Sequence, residues 1–408
     1  MPEQAISATV DLEGLEVIGA AAFGDLIELV VESRFDAGGC RSCGGLVPEP
    51  KERPEVLVRD LGISGRPVVL RWRKRRWRCT YCGNSWTETH PQIPARARMT
   101  LRFKQHLADR AVAEGNFSQV AAQEGVSYDT VARAHRQRAE LVRQQRPRPA
   151  PKAISIDEAA MRKGHTYNTV ISDVVLRYVV DTIEGRTAKP LVKWFSALGD
   201  EVREGIEVVV MDMSNTYRSV VAGMLPNAVR VADKFHVLRA ANLALDRVRA
   251  RAQGRGTKRE TGWPRRLFQC RFALLRSPEN ARPEDAERLA VVFDVFPEVQ
   301  RAWRLKQGLR EVYEERDPHD AALALDVWLG LAERSGLPEF EKLAATVRRW
   351  SPEILNHFTY RMTNGYAEGI TNRVKVIKRQ AYGFRNFANF QDRILVQCGT
   401  PKALRVPA

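Results

Sequence analysis

Residues 40–43 read Cys-Arg-Ser-Cys and residues 79–82 read Cys-Thr-Tyr-Cys, and a glycine follows each pair, Gly44 and Gly83. Each such turn can present two thiolates to one ion, and two turns complete the tetrahedral four-sulfur shell that structural zinc prefers. A redox pair is the alternative chemistry for either motif. The duplication with matched glycines favours one zinc ion on Cys40, Cys43, Cys79 and Cys82. The 35 residues between the pairs exceed the tightest zinc-finger spacing, but alternating stretches such as Val68-Val69-Leu70-Arg71-Trp72 suit a zinc ribbon. Six cysteines in 408 residues are too sparse for a disulfide scaffold. The remaining two, Cys270 and Cys398, read as ordinary packed or surface thiols.

A chain of this length is expected to form two or more domains, since single cores stop growing near ~250 to 300 residues. Lys and Arg outnumber Asp and Glu by 65 to 49, a formal charge of +16 that favours a polyanionic partner. Nucleic acid fits best. No apolar run reaches the ~18 residues of a membrane span, and the N-terminus, with Glu3, Asp11 and Glu13, lacks the basic-then-apolar pattern of a signal peptide. A cytoplasmic, nucleoid-associated protein with no membrane partner is expected.

Before the second cysteine pair, residues 71–78 place six cations around Trp72 and Trp77. The run reads either as a solvated edge strand or as a phosphate-gripping ribbon, with Arg73, Lys74, Arg75, Arg76 and Arg78 as candidate DNA contacts. Residues 117–136 read as a helix-turn-helix. Val120 and Val131 face its core, Ala121 allows close helix approach, Gly125 makes the turn and Val126 seals it. Ser127 would cap the second helix, leaving Tyr128, Asp129, Arg133 and Arg136 toward the major groove. An ordinary helical hairpin is the alternative.

Pro147, Pro149 and Pro151 then forbid helix and mark a linker. Beyond it come strand-like runs at 153–157, 167–176 and 178–183, a helix near 188–198, a strand at 206–212, a helix near 217–225 and a fifth strand at 229–232. Residues 238–357 are helical and charged, with a basic loop from Arg247 to Arg266 that suits either DNA or solvent.

Asp157 ends the apolar run Ile154-Ser-Ile-Asp and Asp212 ends Val208-Val-Val-Met-Asp. A carboxylate at a sheet rim stands where ligands bind, although many such residues only cap the next turn. Glu368 lies about 200° around a helix from Ile370, on a face shared with Asn372, Lys375 and Arg379, while Ile370, Val374, Ile377 and Ala381 form the apolar face. Three carboxylates brought together would repel without a cation, so their convergence implies divalent metal, and hard oxygen ligands select Mg²⁺ or Mn²⁺. Two ions roughly 3.5 to 4 Å apart would serve in-line attack on phosphorus. Asp233 and His236, three residues apart after the fifth strand, read either as an N-cap with a core histidine or as groups that orient water or phosphate.

In this order of parts the chain resembles the DDE transposases of the ISL-three group of insertion sequences. The resemblance rests on the cysteine ribbon closing in Arg76-Trp-Arg-Cys-Thr-Tyr-Cys82, the helix-turn-helix, Ile156-Asp157-Glu158, Met211-Asp212-Met-Ser214, Asp233-Lys-Phe-His236 and Gly365-Tyr-Ala-Glu368-Gly-Ile-Thr-Asn-Arg-Val-Lys375. It implies a multidomain α/β protein with a ribonuclease H-like mixed-sheet core, interrupted by a helical insertion and preceded by a zinc ribbon and a helix-turn-helix. The expected divisions are 1–95 for the zinc-ribbon DNA-binding domain, 96–146 for the helix-turn-helix and 147–152 for the linker. The core would occupy 153–240 and 361–408, with the insertion at 241–360.

The resemblance also makes Asp157, Asp212 and Glu368 the metal triad, with Asp233 and His236 as accessory groups. It implies binding of terminal inverted repeats, then metal-dependent cleavage and strand transfer of double-stranded DNA by a homodimer or larger assembly. The family glutamate is commonly followed by Gly-x-Asn-Asn, whereas Gly369-Ile370-Thr371-Asn372 carries a threonine. A domesticated, non-cutting DNA-binding protein and a nuclease without strand transfer are the competing readings.

Overall fold

The computed structural model describes residues 12–34, 38–46, 48–145, 151–162, 166–254, 262–362 and 365–401, without the side chains of Arg162, Thr166, Pro278 and residues 365–368. Pro147 and Pro149 of the expected linker, and Arg255, Lys258 and Arg259 of the basic loop, lie outside them. The chain divides into two compact units, Met1–Leu141 with Gln380–Tyr382, and Val142–Arg379 with Gly383–Ala408. No helix among the described residues is long and apolar enough to cross a membrane.

The first unit opens with seven strands: β1 Leu15–Phe23, β2 Leu26–Ser33, β3 Pro48–Glu52, β4 Glu55–Ile63, β5 Arg66–Arg73, β6 Arg76–Cys79 and β7 Ser85–Thr87. They form two sheets, ordered β1-β2-β5-β4 and β3-β6-β7. This corrects the expectation for Val68 to Trp72, which belong to the four-stranded sheet and not to the ribbon that carries the cysteines. The reason is period two: Val68, Leu70 and Trp72 are fully buried on one face, packed with Leu29, Val31 and Val58. The basic run is therefore split, with its first half on β5 and its second on β6.

Three helices follow: α1 Leu101–Glu114, α2 Phe117–Glu124 and α3 Tyr128–Gln144. Thr100 caps α1, Asn116 caps α2, and the Ser127 hydroxyl accepts from Thr130 N at 3.2 Å at the head of α3. Gly125 ends α2 at φ 64°, a left-handed conformation that glycine adopts without a Cβ clash. Val120, Ala121 and Val131 join Phe103, Leu107 and Phe117 in the helical core as the sequence predicts. Asp60 of β4 accepts from Thr100 Oγ1 at 2.7 Å and Arg102 Nε at 2.8 Å, fastening the helices to the sheet.

The second unit is built on β8 Ala153–Arg162, β9 Thr166–Asp173, β10 Tyr178–Glu184, β11 Val208–Met211 and β12 Val229–Ala232, ordered β10-β9-β8-β11-β12. β9 is antiparallel to both its neighbours, β8 and β10, while β11 is parallel to both β8 and β12. Between β10 and β11 lie α4 Ala188–Ser196 and a short α5 Asp200–Glu204, and α6 Asn215–Met224 joins β11 to β12. Val209 and Met211 pack with Leu191, Phe195, Tyr217 and Val221 on one face, and Val208 and Val210 with Val231 on the other. Burial on both faces explains the unbroken apolar run of β11.

From β12 the chain enters α7 Lys234–Gln253, then α8 Trp263–Gln269, α9 Arg271–Leu275, α10 Pro283–Val295, α11 Pro297–Val312, α12 Pro318–Glu333, α13 Pro338–Arg349 and α14 Ser351–Tyr360. These share a core of their own, with Leu245, Leu309, Phe340 and Trp350 among its buried members. Helix α14 returns to the sheet at β12, where Asn356 Nδ2 donates to Arg230 O at 2.9 Å. Glu353, 2% exposed, meets Arg218 Nε at 2.7 Å and Arg230 Nε at 3.6 Å. Helices α15 Gly365–Gln380 and α16 Phe387–Cys398 complete the unit. Ile370, Val374 and Ile377 are buried as expected, while Ala381 falls just past the end of α15.

Candidate active site and metal centre

The two cysteine turns are copies of one another. Gly44 N donates to Cys40 O and Gly83 N to Cys79 O, and both glycines stand at φ 73°. Cys40 and Cys82 sulfurs lie 3.6 Å apart, and Cys43 and Cys79 sulfurs 3.5 Å apart. All four sulfurs fall within 4.8 Å of one another. Sulfurs each about 2.3 Å from a tetrahedral zinc ion are separated by about 3.8 Å, so the thiols fit that ion. The N–H groups of Ser42 and Cys43 help hold Cys40 down at about 6, and the N–H of Cys82 lowers Cys79. The Gly45 N–H also draws Cys43 down, but the Cys82 and Cys79 thiols and burial together push it up to about 12. Four thiols this close cannot all ionise unless a cation balances them.

The acidic site arises from strand register. In the parallel ladder Met211 sits opposite Ile156 and Ala232 opposite Met211, so the next residues are Asp157, Asp212 and Asp233. Three aspartates thus stand in a row across adjacent strands. One expectation is corrected: Asp157 does not end its strand. β8 continues to Arg162 because β9 goes on pairing with it after β11 has stopped. Asp157 stands where the parallel neighbour ends, which opens the same rim. Beyond Asp212, Ser214 caps α6, and Asp233 caps α7 by accepting from Phe235 N at 3.1 Å.

The first turn of α7 delivers His236 to this row. Its Nε2 lies 2.6 Å from Asp212 Oδ1 and 3.8 Å from both Asp157 Oδ1 and Asp233 Oδ2. Asp233 thus caps α7, and His236 faces the acids instead of lying in the core. Burial pushes Asp212 up to about 6. Burial opposes protonation of His236, but Asp212 and then Asp233 and Asp157 outweigh it and raise its pKa. Two carboxylates side by side at a sheet rim are the donor set that a hard divalent cation completes. One ligand atom from each of Asp157, Asp212 and His236 lies within 4.8 Å of the others. Imidazole is a poor partner for Mg²⁺, so the histidine suits proton handling better than ligation.

Asp157 Oδ1 accepts from Glu158 N at 2.7 Å, and Asp157 Oδ2 accepts from Thr371 Oγ1 at 2.6 Å. Thr371 was not singled out from sequence for any role. Residue 368 lies in the first turn of the same helix, three residues earlier, and its side chain is outside the described residues. A cleft of about 730 Å³ opens over Asp157, Asp212, His236 and Thr371, and Arg186, Arg239, Lys375 and Lys378 line it as cations. Acid on the floor and bases on the walls suit a phosphodiester held against metal.

The candidate DNA contacts separate into two sets. In the basic run, Arg73 is 3.3 Å from Glu32, Arg75 3.0 Å from Glu88 and Arg76 2.5 Å from Glu52, while Lys74 sits 4.4 Å from the Trp72 ring centroid. Arg78 is exposed. Much of this charge is therefore balanced inside the domain. On α3, by contrast, Tyr128, Asp129, Arg133 and Arg136 are all exposed on the helix after the Gly125 turn.

Comparison with known proteins agrees with this geometry. A family profile described as "Transposase" matches residues 154–394. One described as "Helix-turn-helix domain of transposase family ISL3" matches 88–139, and one described as "zinc-finger of transposase IS204/IS1001/IS1096/IS1165" matches 36–82. The transposase for insertion sequence element IS1001 of Bordetella parapertussis is 28% identical over 348 residues, 85% of each chain. The transposase for insertion sequence element IS1557 of Mycobacterium tuberculosis is 31% identical over 253 residues, 57% of each chain.

Proposed function

The chain belongs to the ISL3 family of transposases, and from that membership we propose that Asp157, Asp212 and Glu368 hold two divalent ions for DNA cleavage and strand transfer. The observation that carries the proposal is the parallel register that sets Asp157 beside Asp212, under a cleft walled by cations. The sheet order β10-β9-β8-β11-β12, with two antiparallel pairings followed by two parallel ones, supports the ribonuclease H-like reading of the core.

Bound Mg²⁺ or Mn²⁺ would activate a water or 3′-hydroxyl and stabilise the departing oxygen during in-line displacement. Asp157 and Asp212 supply hard oxygens to those ions, and Glu368 completes the set from the far side of the helical insertion. His236, raised by its carboxylate neighbours, exchanges a proton with the attacking or leaving oxygen. Asp233 fixes the start of α7 and so the ring's position. Arg239, Lys375 and Arg186 neutralise the phosphates entering the cleft.

Recognition of the terminal inverted repeats falls to the N-terminal unit. One zinc ion on Cys40, Cys43, Cys79 and Cys82 stiffens the ribbon, and α3 reads the major groove with Tyr128, Arg133 and Arg136. Since transposition joins two element ends, the working form is a dimer or larger on DNA.

The test is Mg²⁺-dependent cleavage and joining of duplexes carrying the element ends, with wild type and Glu368→Gln side by side. Joined products from the wild type alone support the proposal. Bound but uncut DNA in both would mark a binding protein without catalysis, and cut but unjoined DNA a nuclease.

A further inference from the structure

Thr371 stands where the resemblance leads one to expect an asparagine, and its hydroxyl is spent on a catalytic carboxylate. It donates to Asp157 Oδ2 at 2.6 Å, while Glu158 N holds Asp157 Oδ1 at 2.7 Å. Both oxygens of Asp157 are thus anchored from inside the protein, which fixes the plane of the carboxylate. Each oxygen keeps a second lone pair.

A second bond joins the same two elements. Lys378 Nζ donates to Ala160 O at 3.2 Å. The two bonds tie α15 to β8 at two points. Thr371 is the pin beside the acids. Residue 368 precedes it by one turn, about 4.5 Å along the helix axis, so whatever fixes Thr371 against Asp157 also fixes the height of the glutamate position above the strand.

We propose that Thr371 is a positioning residue, whose hydroxyl orients Asp157 for metal and ties the helix that carries the glutamate to the strand that carries this aspartate. The inference rests on the metal-site reading above. It assigns Thr371 no contact with DNA or metal. Its role is carried through Asp157, as hydrogen-bonded outer groups tune ligands in other metal sites.

The experiment uses the full zinc-loaded chain and Mn²⁺ as probe, with binding followed through the electron paramagnetic resonance signal of free Mn²⁺. Cleavage at varied Mg²⁺ is measured in parallel. Thr371→Val removes the donor and keeps the shape, whereas Thr371→Ser keeps the donor. The expected result is Mn²⁺ binding weakened about 10- to 100-fold in Thr371→Val, a matching shift in the Mg²⁺ requirement, and near wild-type values in Thr371→Ser. Should Thr371→Val fail to fold, Thr371→Ala carries the comparison. Wild-type Mn²⁺ binding in the valine protein, or equal defects in valine and serine proteins, overturns the proposal. Asp157→Asn is the control: a wild type with no Mn²⁺ site sensitive to that change would overturn the metal reading itself, and the role of Thr371 with it.

Discussion

Nε2 of His236 lies 2.6 Å from Oδ1 of Asp212, so in the metal-free chain a half-buried acid and a half-buried base compete for protons at one point. Burial raises Asp212 to about 6, and the carboxylate neighbours of His236 overcome burial to raise it too. Both shifts mean that the folded chain binds protons more tightly than the unfolded one, and stability then falls as pH rises. For Asp212 the loss runs from the unfolded value near ~3.9 to about 6. For His236 it starts near ~6.5 and ends above its raised folded value. The melting temperature of Mg²⁺-free protein should therefore fall as pH rises from about 5 through the raised folded pKa of His236. Mn²⁺ should restore more of it at the upper end. Calorimetry showing a rise over that range would refute the assignment, and Asp212→Asn should flatten the lower half of the curve.

Stripping zinc, or replacing Cys79 by Ser, should abolish sequence-specific binding to the element ends, because a ribbon built from short strands has no metal-free core to fall back on. Metal analysis should give one zinc per chain. Intact protein should bind with a logarithmic salt slope of about −0.9 per phosphate neutralised. Unchanged specificity in Cys79→Ser would take the ribbon out of recognition.

Arg133→Ala and Arg136→Ala should each weaken specific binding, by about 1 to 3 kcal/mol where the arginine reads a base. Arg76→Ala should cost less, since Arg76 is already paired with Glu52. Fluorescence anisotropy on specific and scrambled duplexes separates these outcomes. A larger loss from Arg76 than from either α3 arginine would move recognition back to the basic run.

Glu353→Ala should destabilise the chain by about 1 to 3 kcal/mol, since it removes charge-assisted hydrogen bonds while the arginines left behind stay about one-third exposed to water. The change leaves Arg218 and Arg230 without their carboxylate at the seam between α14 and β12. Chemical denaturation measures the effect, and a loss below about 1 kcal/mol, the level of a surface pair, would show that the seam is held by other contacts.

The sequence discloses the row of acids because parallel strands buried on both faces read as apolar runs, and the runs stop near Asp157 and Asp212. It hides where β8 ends, since the antiparallel pairing that carries the strand to Arg162 is made with another segment. The cysteine turns are legible for the opposite reason: their geometry is local and the glycines declare it. The four-stranded sheet escapes because Val68 to Trp72 show strand period without naming a partner. Thr371 escapes because a helix-to-strand hydrogen bond across 214 positions leaves no trace in spacing. The basic run promises free charge, and only the fold brings Glu32, Glu52 and Glu88 to meet it.

Helix α7 begins at the cap beside the acids and runs without a break to Gln253, buried in the helical core from Val237 to Val248. Twenty residues make a rod about 30 Å long. Val248 lies about 18 Å along this rod from His236, so a tilt of about 5° there would carry the ring some 1.6 Å, more than half the distance that separates His236 from Asp212. The packing of Val248 and Leu245, far from any phosphate, therefore sets the mechanical tolerance to which the proton-handling group is aimed.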